Sequence, residues 1–471
     1  MNQRRSLIGW ISAVSLAPLL AIGLVALPSA PIQAATYYTL LTTVGAPSGQ
    51  PGSLAGTSII DVTPDDKYAV FVGKDDTAYR MRVIDLATST FLSPSFNVAN
   101  ALAAAGYNLG LDQPVASSVA VTPDLGGSYY AIITLRNAPN SGTAPGKLVF
   151  LNINPATGAV SLRPSTPPVT VGVNPESIDI APSGEYAVVA NEGNPVTGGA
   201  TSGSISIVDL RAGATQYQVQ TITPSVTNPQ PETVAISPNS ARAFVTLQAN
   251  SVVEIINMGV NGATGALTAA GTAVNLPPSL RPDGVAVTSD NNYIVTANEP
   301  VQSISLWQVT EPTPGAPTLT EVGPRVSLSG SNFAPKMVAI GQVPGTAGDQ
   351  AFVTLRKTTS AGDALGVLNI APTGLTLSAT VVLDPPAASG VTADNPEGVA
   401  IAESRGLILT ANAPARTISI VAASDAPPTT TATTTTTATT TTTATTTATA
   451  TVTTTPTVQP RGWLPYVRKD Q

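Results

Sequence analysis

Residues 174–210 read NPESIDIAPSGEYAVVANEGNPVTGGATSGSISIVDL. Pro175-Glu176 opens an extended segment, in which Ser177 to Ile180 alternates small or polar with apolar side chains. Ala181-Pro182-Ser183-Gly184 is a turn, because proline presets φ and glycine accepts a positive φ. Tyr186–Ala190 is an apolar run of residues suited to a pleated surface. Asn191–Gly203 is a loop rich in Gly, Asn and Pro, and Ser204–Asp209 then alternates with period two, the pattern of a half-buried strand. The stretch is strand, turn, strand, loop, strand.

The same unit recurs. Its short apolar strand appears at Ile60-Asp61-Val62, Val119-Ala120-Val121, Ile178-Asp179-Ile180, Val234-Ala235-Ile236, Val285-Ala286-Val287, Val338-Ala339-Ile340 and Val399-Ala400-Ile401, at spacings of 51 to 61 residues. A second strand follows each, as in Tyr68–Val72 and Tyr293–Ala297, then a third, as in Lys147–Ile153 and Ser303–Val309. A weaker fourth precedes the next unit, as in Tyr217–Ile222 and Thr318–Gly323. Such a period with four strands per unit predicts an all-β fold, a seven-bladed β-propeller of four-stranded blades. One blade cannot bury its faces alone, and stacking blades around an axis buries them. The seventh unit has three strands and no fourth, while the β-rich run Thr36–Thr43 precedes the first unit. That run is expected to supply the outer strand of the last blade and close the ring.

Composition narrows the chemistry. The 471 residues contain no Cys and no His, so thiolate chemistry, a Ser-His-Asp triad and a His- or Cys-based zinc site are excluded. Walker-type and dinucleotide-binding loops are also missing from the sequence. Residues 1–35 read as a secretory signal peptide: Arg4-Arg5, an apolar stretch from Leu7 to Leu27, and Ile32-Gln33-Ala34 before the cleavage point. Its removal leaves 19 basic against 28 acidic residues, a net charge of −9, which argues against nucleic acid as a partner. The propeller spans 36–425. Residues 426–460 are a Thr/Ala-rich stalk or linker with too little apolar mass to fold, and 461–471 form a short aromatic and basic tail. This organisation predicts a secreted monomer, retained at the cell envelope through stalk and tail.

Several units carry a motif like Pro231-Glu232-Thr233-Val234-Ala235-Ile236-Ser237-Pro238-Asn239, then a strand end such as Val189-Ala190-Asn191 or Thr296-Ala297-Asn298, then Ser204-Ile205-Ser206-Ile207-Val208-Asp209-Leu210. In these residues the chain resembles the YVTN family of β-propeller repeats and the seven-bladed lactonase-like propellers, over roughly residues 51–421. The resemblance implies the architecture. It leaves function open, since the fold hosts both binding proteins and enzymes. The strand-end motif itself alternates: units two, four and six carry Thr134-Leu135-Arg136, Thr246-Leu247-Gln248 and Thr354-Leu355-Arg356 instead.

Ligands of propellers sit at the mouths of the central channel, which the first strands line. Those strands are preceded by Pro175-Glu176, Pro231-Glu232, Pro282-Asp283 and Pro396-Glu397, with Pro335-Lys336 in unit six. Repeat symmetry places Glu176, Glu232, Asp283 and Glu397 in a partial ring at one rim. Such a ring could hold Ca²⁺, or each carboxylate could accept backbone N–H groups of a neighbouring blade and serve the repeat. A second set lies at the ends of the second strands: Arg136, Asn191, Glu192, Gln248, Asn298, Glu299, Arg356 and Asn412. Arg136 and Arg356 occupy matching positions and could hold an anion or pair with nearby acids. Residues 191–203 form a loop unlike any other unit's and are a further place for a specific contact. The reading that follows is a non-catalytic binding or scaffold module for a protein or small polar ligand. The alternative is a lactonase-like hydrolase using Glu, Asp and Arg at the channel mouth.

Overall fold

The computed structural model describes residues 36–425, apart from 46–58, 75–78, 93, 112–113, 138–142, 195–201, 212–216, 263–264, 358–361, 384–394 and 413–416. The predicted signal peptide, stalk and tail, and most of the singular 191–203 loop, lie outside the described residues, as does the whole of the separate unit Thr429–Gln471.

Seven antiparallel sheets of four or five strands follow one another along the chain. Blade 3 runs Pro175–Ile180, Tyr186–Asn191, Ser204–Asp209, Gln218–Ile222 from the inside out. Gly184, at φ 73°, closes its first turn with its N–H on the Ala181 carbonyl at 2.7 Å. Each inner strand packs on that of the next blade, and the seventh packs on the first, so the ring is closed. The closing element is the N-terminal strand Tyr37–Gly45, which pairs antiparallel with Thr417–Ser424 as the outer strand of blade 7. One departure from the repeat is a seven-residue helix, Val98–Ala104, between blades 1 and 2, capped by the Asn97 side chain on the Asn100 N–H.

The core divides in the same way. Seven clusters of buried apolar residues occur, one at each blade junction. Period-two alternation causes this. In Tyr186–Asn191, Ala187 and Val189 face blade 2, while Tyr186, Val188 and Ala190 face blade 4. Trp307 lies between blades 4 and 5, and its indole N–H is satisfied by Thr296 Oγ1 at 2.9 Å.

The rim where the first turns lie is clasped by side chains of the following blade. Asp349 Oδ2 accepts the Ser289 N–H at 2.6 Å, Glu403 Oε1 that of Gln342 at 2.9 Å, and Asp66 Oδ2 that of Ser404 at 2.7 Å. Inside the channel, Asp61 accepts the Val121 N–H of blade 2, and Asp179 accepts the Ile236 N–H of blade 4, each at 2.7 Å. Burial pushes the Asp61 carboxyl up to about 6 and the Asp179 carboxyl to about 7, against the lowering effect of these bonds.

Candidate functional site at the channel mouth

The inner strands are irregular where the Pro-acid dipeptides stand. Pairing with the second strand shifts register between Pro175 and Ser177, Pro231 and Val234, Pro335 and Val338, and Pro396 and Gly398. A bulge leaves the extra residue unpaired and re-aims its side chain. The re-aimed residues are Glu176, Glu232, Lys336 and Glu397, and with Asp283 they line one small cavity of about 130 Å³ at the channel mouth. The predicted partial ring is thus assembled.

Its members differ in what holds them. Glu176 forms an ion pair with Arg136, which also donates to Asn174 Oδ1 at 3.2 Å. Asn174 in turn donates to Glu192 at 2.5 Å. Asp283 accepts from Gln248 Nε2 at 2.9 Å and from Lys336 Nζ at 3.0 Å. Lys336 reaches Glu299 as well, at 3.1 Å, and Arg356 pairs with the other oxygen of Glu299. Glu397 accepts from Asn395 at 3.3 Å. Glu232 makes no hydrogen bond or ion pair with any described residue.

Burial dominates the protonation of this mouth. It drives Glu232 up to about 8, helped by the negative charges of Asp283 and Glu192, and Asp283 up to about 7 despite Lys336. Burial also raises Glu192, with Arg136 and Asn174 opposing it. Glu299 goes the other way: burial raises it, but Asp283, Lys336 and Arg356 together hold it below its ordinary value. Near neutral pH, Glu232 is a protonated carboxyl that can both donate and accept.

The geometry bears on three expectations. Among the described residues the ring acids meet side chains, such as Gln248 on Asp283, and no backbone N–H of the next blade, while Asp61 and Asp179 do the backbone clasping deeper in the channel. Two of the ring acids are already paired with cations. Arg136 and Lys336 already occupy Glu176 and Asp283, and among the described residues no group of three or more acids could hold a metal ion. Asn191 and Asn298 are fully buried inside their blades. Asn191 donates to Ser206 Oγ at 3.0 Å and Asn298 to Ser305 Oγ at 3.1 Å, so both tie the second strand to the third.

The alternation of strand ends acquires a structural meaning here. Blades 3, 5 and 7 end the second strand in a buried Asn, whereas blades 2, 4 and 6 send Arg136, Gln248 and Arg356 to acids at the mouth. Sequence reasoning overlooked Asn174 and Asn395, which precede Pro-Glu in blades 3 and 7. Both have positive φ, 56° and 38°, and the repeated Asn-Pro-Glu triplet was the available signal.

Comparison with known proteins agrees on architecture. A family model for the choice-of-anchor I domain matches residues 60–230. The periplasmic gluconolactonase of Pseudomonas aeruginosa is similar in structure, with a TM-score of 0.53 at 15% identity over 82% of this chain and 92% of that one. A Bacteroides fragilis protein whose assigned name is 6-phosphogluconolactonase gives 0.50 at 14% identity, over 79% and 92%. At these identities the likeness is one of fold. Among curated proteins no sequence matches. No helix among the described residues is long and apolar enough to cross a membrane.

Proposed function

We propose that this chain is an exported, envelope-retained propeller that binds a small polar group at the acidic channel mouth and does no chemistry on it. The group is a free small molecule or the tip of a protein partner's side chain. The observation that carries this is Glu232. It lines the cavity, lacks any partner among the described residues, and is protonated near neutral pH, while every other ring acid is engaged. The half-buried carboxyl lines the cavity with its donor and acceptor capacity open for a ligand to complete. The reading is supported by the export and stalk features of the sequence and by the matched anchor-domain model. The test is capture from native culture medium on the immobilised full chain, with wild type and Glu232→Gln compared. A partner retained by the first and lost by the second supports the reading; identical retention overturns it.

One observation favours the hydrolase alternative: Glu232 and Asp283, pushed up to about 8 and about 7, titrate in the range that suits general acid–base work. Turnover of a lactone panel that collapses in Glu232→Gln would establish it, and flat rates in both proteins would remove it.

A further inference from the structure

A second cavity, of about 560 Å³, lies at the side of the propeller, between blade 6 and the closing N-terminal strand. Its volume falls in the range of small-ligand sites. Its polar lining comes from Thr36, Tyr38, Thr346, Asp349, Gln350, Asn369 and Ser378, and among the described residues no Lys or Arg lines it.

The hydrogen bonds in its wall run in one direction. Tyr38 Oη donates to Gln350 Oε1, and Gln350 Nε2 donates to Asn369 Oδ1 at 2.7 Å. Gln350 is only 6% exposed, so it is a fixed relay between the two. Tyr38 is held edge-on against Phe352 at a centroid distance of 6.0 Å. Because the single phenolic proton is committed to Gln350, the Tyr38 oxygen is left to the cavity as an acceptor. Because the Asn369 carbonyl oxygen is taken, its NH₂ is left as a donor. Burial raises the Tyr38 phenol to about 12, so this polarity holds at any physiological pH. Ser378 Oγ donates to the Val367 carbonyl at 3.0 Å and likewise presents an acceptor.

A ligand that satisfies this wall must donate to Tyr38 and Ser378 and accept from Asn369. Hydroxyl groups do both, and a sugar ring carries several at fixed spacing. An anion would meet two acceptors and a carboxylate with no lining cation to receive it. A cation would find Asp349 already bonded at both oxygens, to the Ser289 N–H at 2.6 Å and Gln342 Nε2 at 3.2 Å. We infer that this cleft is a binding site for a neutral polyhydroxylated ligand, a saccharide, at the seam where the ring closes. Thr36 and Asp425, the first and last described residues, both lie against Gly345 beside the cleft. The site is therefore next to the points where the chain enters and leaves the propeller, and its ligand bridges the closing strand to blade 6.

Calorimetric titration and thermal melting of the full chain test this, with glucose, N-acetylglucosamine, cellobiose and chitobiose as probes and sodium phosphate and methylammonium as charged comparisons. At least one saccharide binds saturably and raises the melting temperature, since a ligand of the closed ring alone must stabilise it. Asn369→Ala, a change at an exposed side chain, weakens that binding about tenfold or more, the scale of one good hydrogen bond. Tyr38→Phe does the same. Glu232→Gln leaves it unchanged, which separates this site from the channel mouth. The inference is overturned if no saccharide binds, if Asn369→Ala binds as wild type does, or if phosphate or methylammonium binds in place of the sugars.

Discussion

Lys336 Nζ stands 3.0 Å from Asp283 Oδ2 and joins blade 6 to blade 5 across the channel mouth. The lysine side chain is 22% exposed and the aspartate 8%, so each charge depends on the other for solvation. Breaking such a pair leaves an uncompensated buried charge. Lys336→Met should therefore cost about 2–4 kcal/mol at pH 8, by urea unfolding. The loss should shrink at pH 5, because burial pushes Asp283 up to about 7 and the stranded acid takes a proton there. Equal losses at both pH values would assign the effect to packing of the lysine stem.

Glu254 is a cleaner probe of buried charge. It is 2% exposed in the third strand of blade 4, Val252–Val260, and its Oε2 has no hydrogen-bond partner among the described residues. Gly271 makes room for it: a Cβ there would meet Glu254 Oε1 at 2.3 Å. Burial raises the carboxyl to about 6 from an ordinary 4.5. A folded value above the unfolded one means that the protein loses stability as pH rises between these two values. Glu254→Gln is thus expected to stabilise by about 1–2 kcal/mol at pH 8 and by nothing at pH 4, measured by denaturant unfolding at each pH.

Blade 3 lacks a hydrogen bond that its sister blades have. Thr296 Oγ1 donates to Asn298 Oδ1 at 3.1 Å, and Thr410 Oγ1 to Asn412 Oδ1 at 3.0 Å. Val189 holds the corresponding position in blade 3, and Asn191 Oδ1 is buried without a partner. Val189→Thr keeps the shape and supplies the missing donor. Its expected effect is a gain of about 1 kcal/mol, readable in thermal melting. A loss would mean that the hydroxyl meets only the apolar contacts of the junction with blade 2.

Closure of the ring can be tested by cutting it. Deleting residues 36–45 removes the partner of Thr417–Ser424 and strips Tyr38, Leu40 and Val44 from the junctions they help cover. Three half-buried apolar side chains at roughly 1–1.5 kcal/mol each make this a loss of about 3–5 kcal/mol. The exposed strand edge should also associate, so the deletion variant is expected to elute as larger species on size exclusion. A monomer with unchanged melting would refute closure by this strand.

The sequence by itself determined the architecture. The strand, turn, strand unit first seen in residues 174–210 occurs seven times in all, and the blade count, the inner strands and the missing fourth strand of the last blade all followed from it. The Pro-Glu and Pro-Asp positions were legible for the same reason, since repeat symmetry carries residues at equal positions to one rim. Partner choice was not legible. Lys336 reaches back to Glu299 and Asp283, Arg136 reaches forward to Glu176, and Glu232 is left alone. Those outcomes depend on bulges and on side-chain reach between residues 37 to 53 positions apart in sequence. The burial of Asn191 and Asn298 was hidden as well, because the same Asn at a strand end suits an open rim or a closed blade equally. The cleft between Tyr38 and Asn369 had no sequence signal at all. It exists only because the two ends of the chain meet, and contacts between residues more than 300 positions apart leave no local pattern.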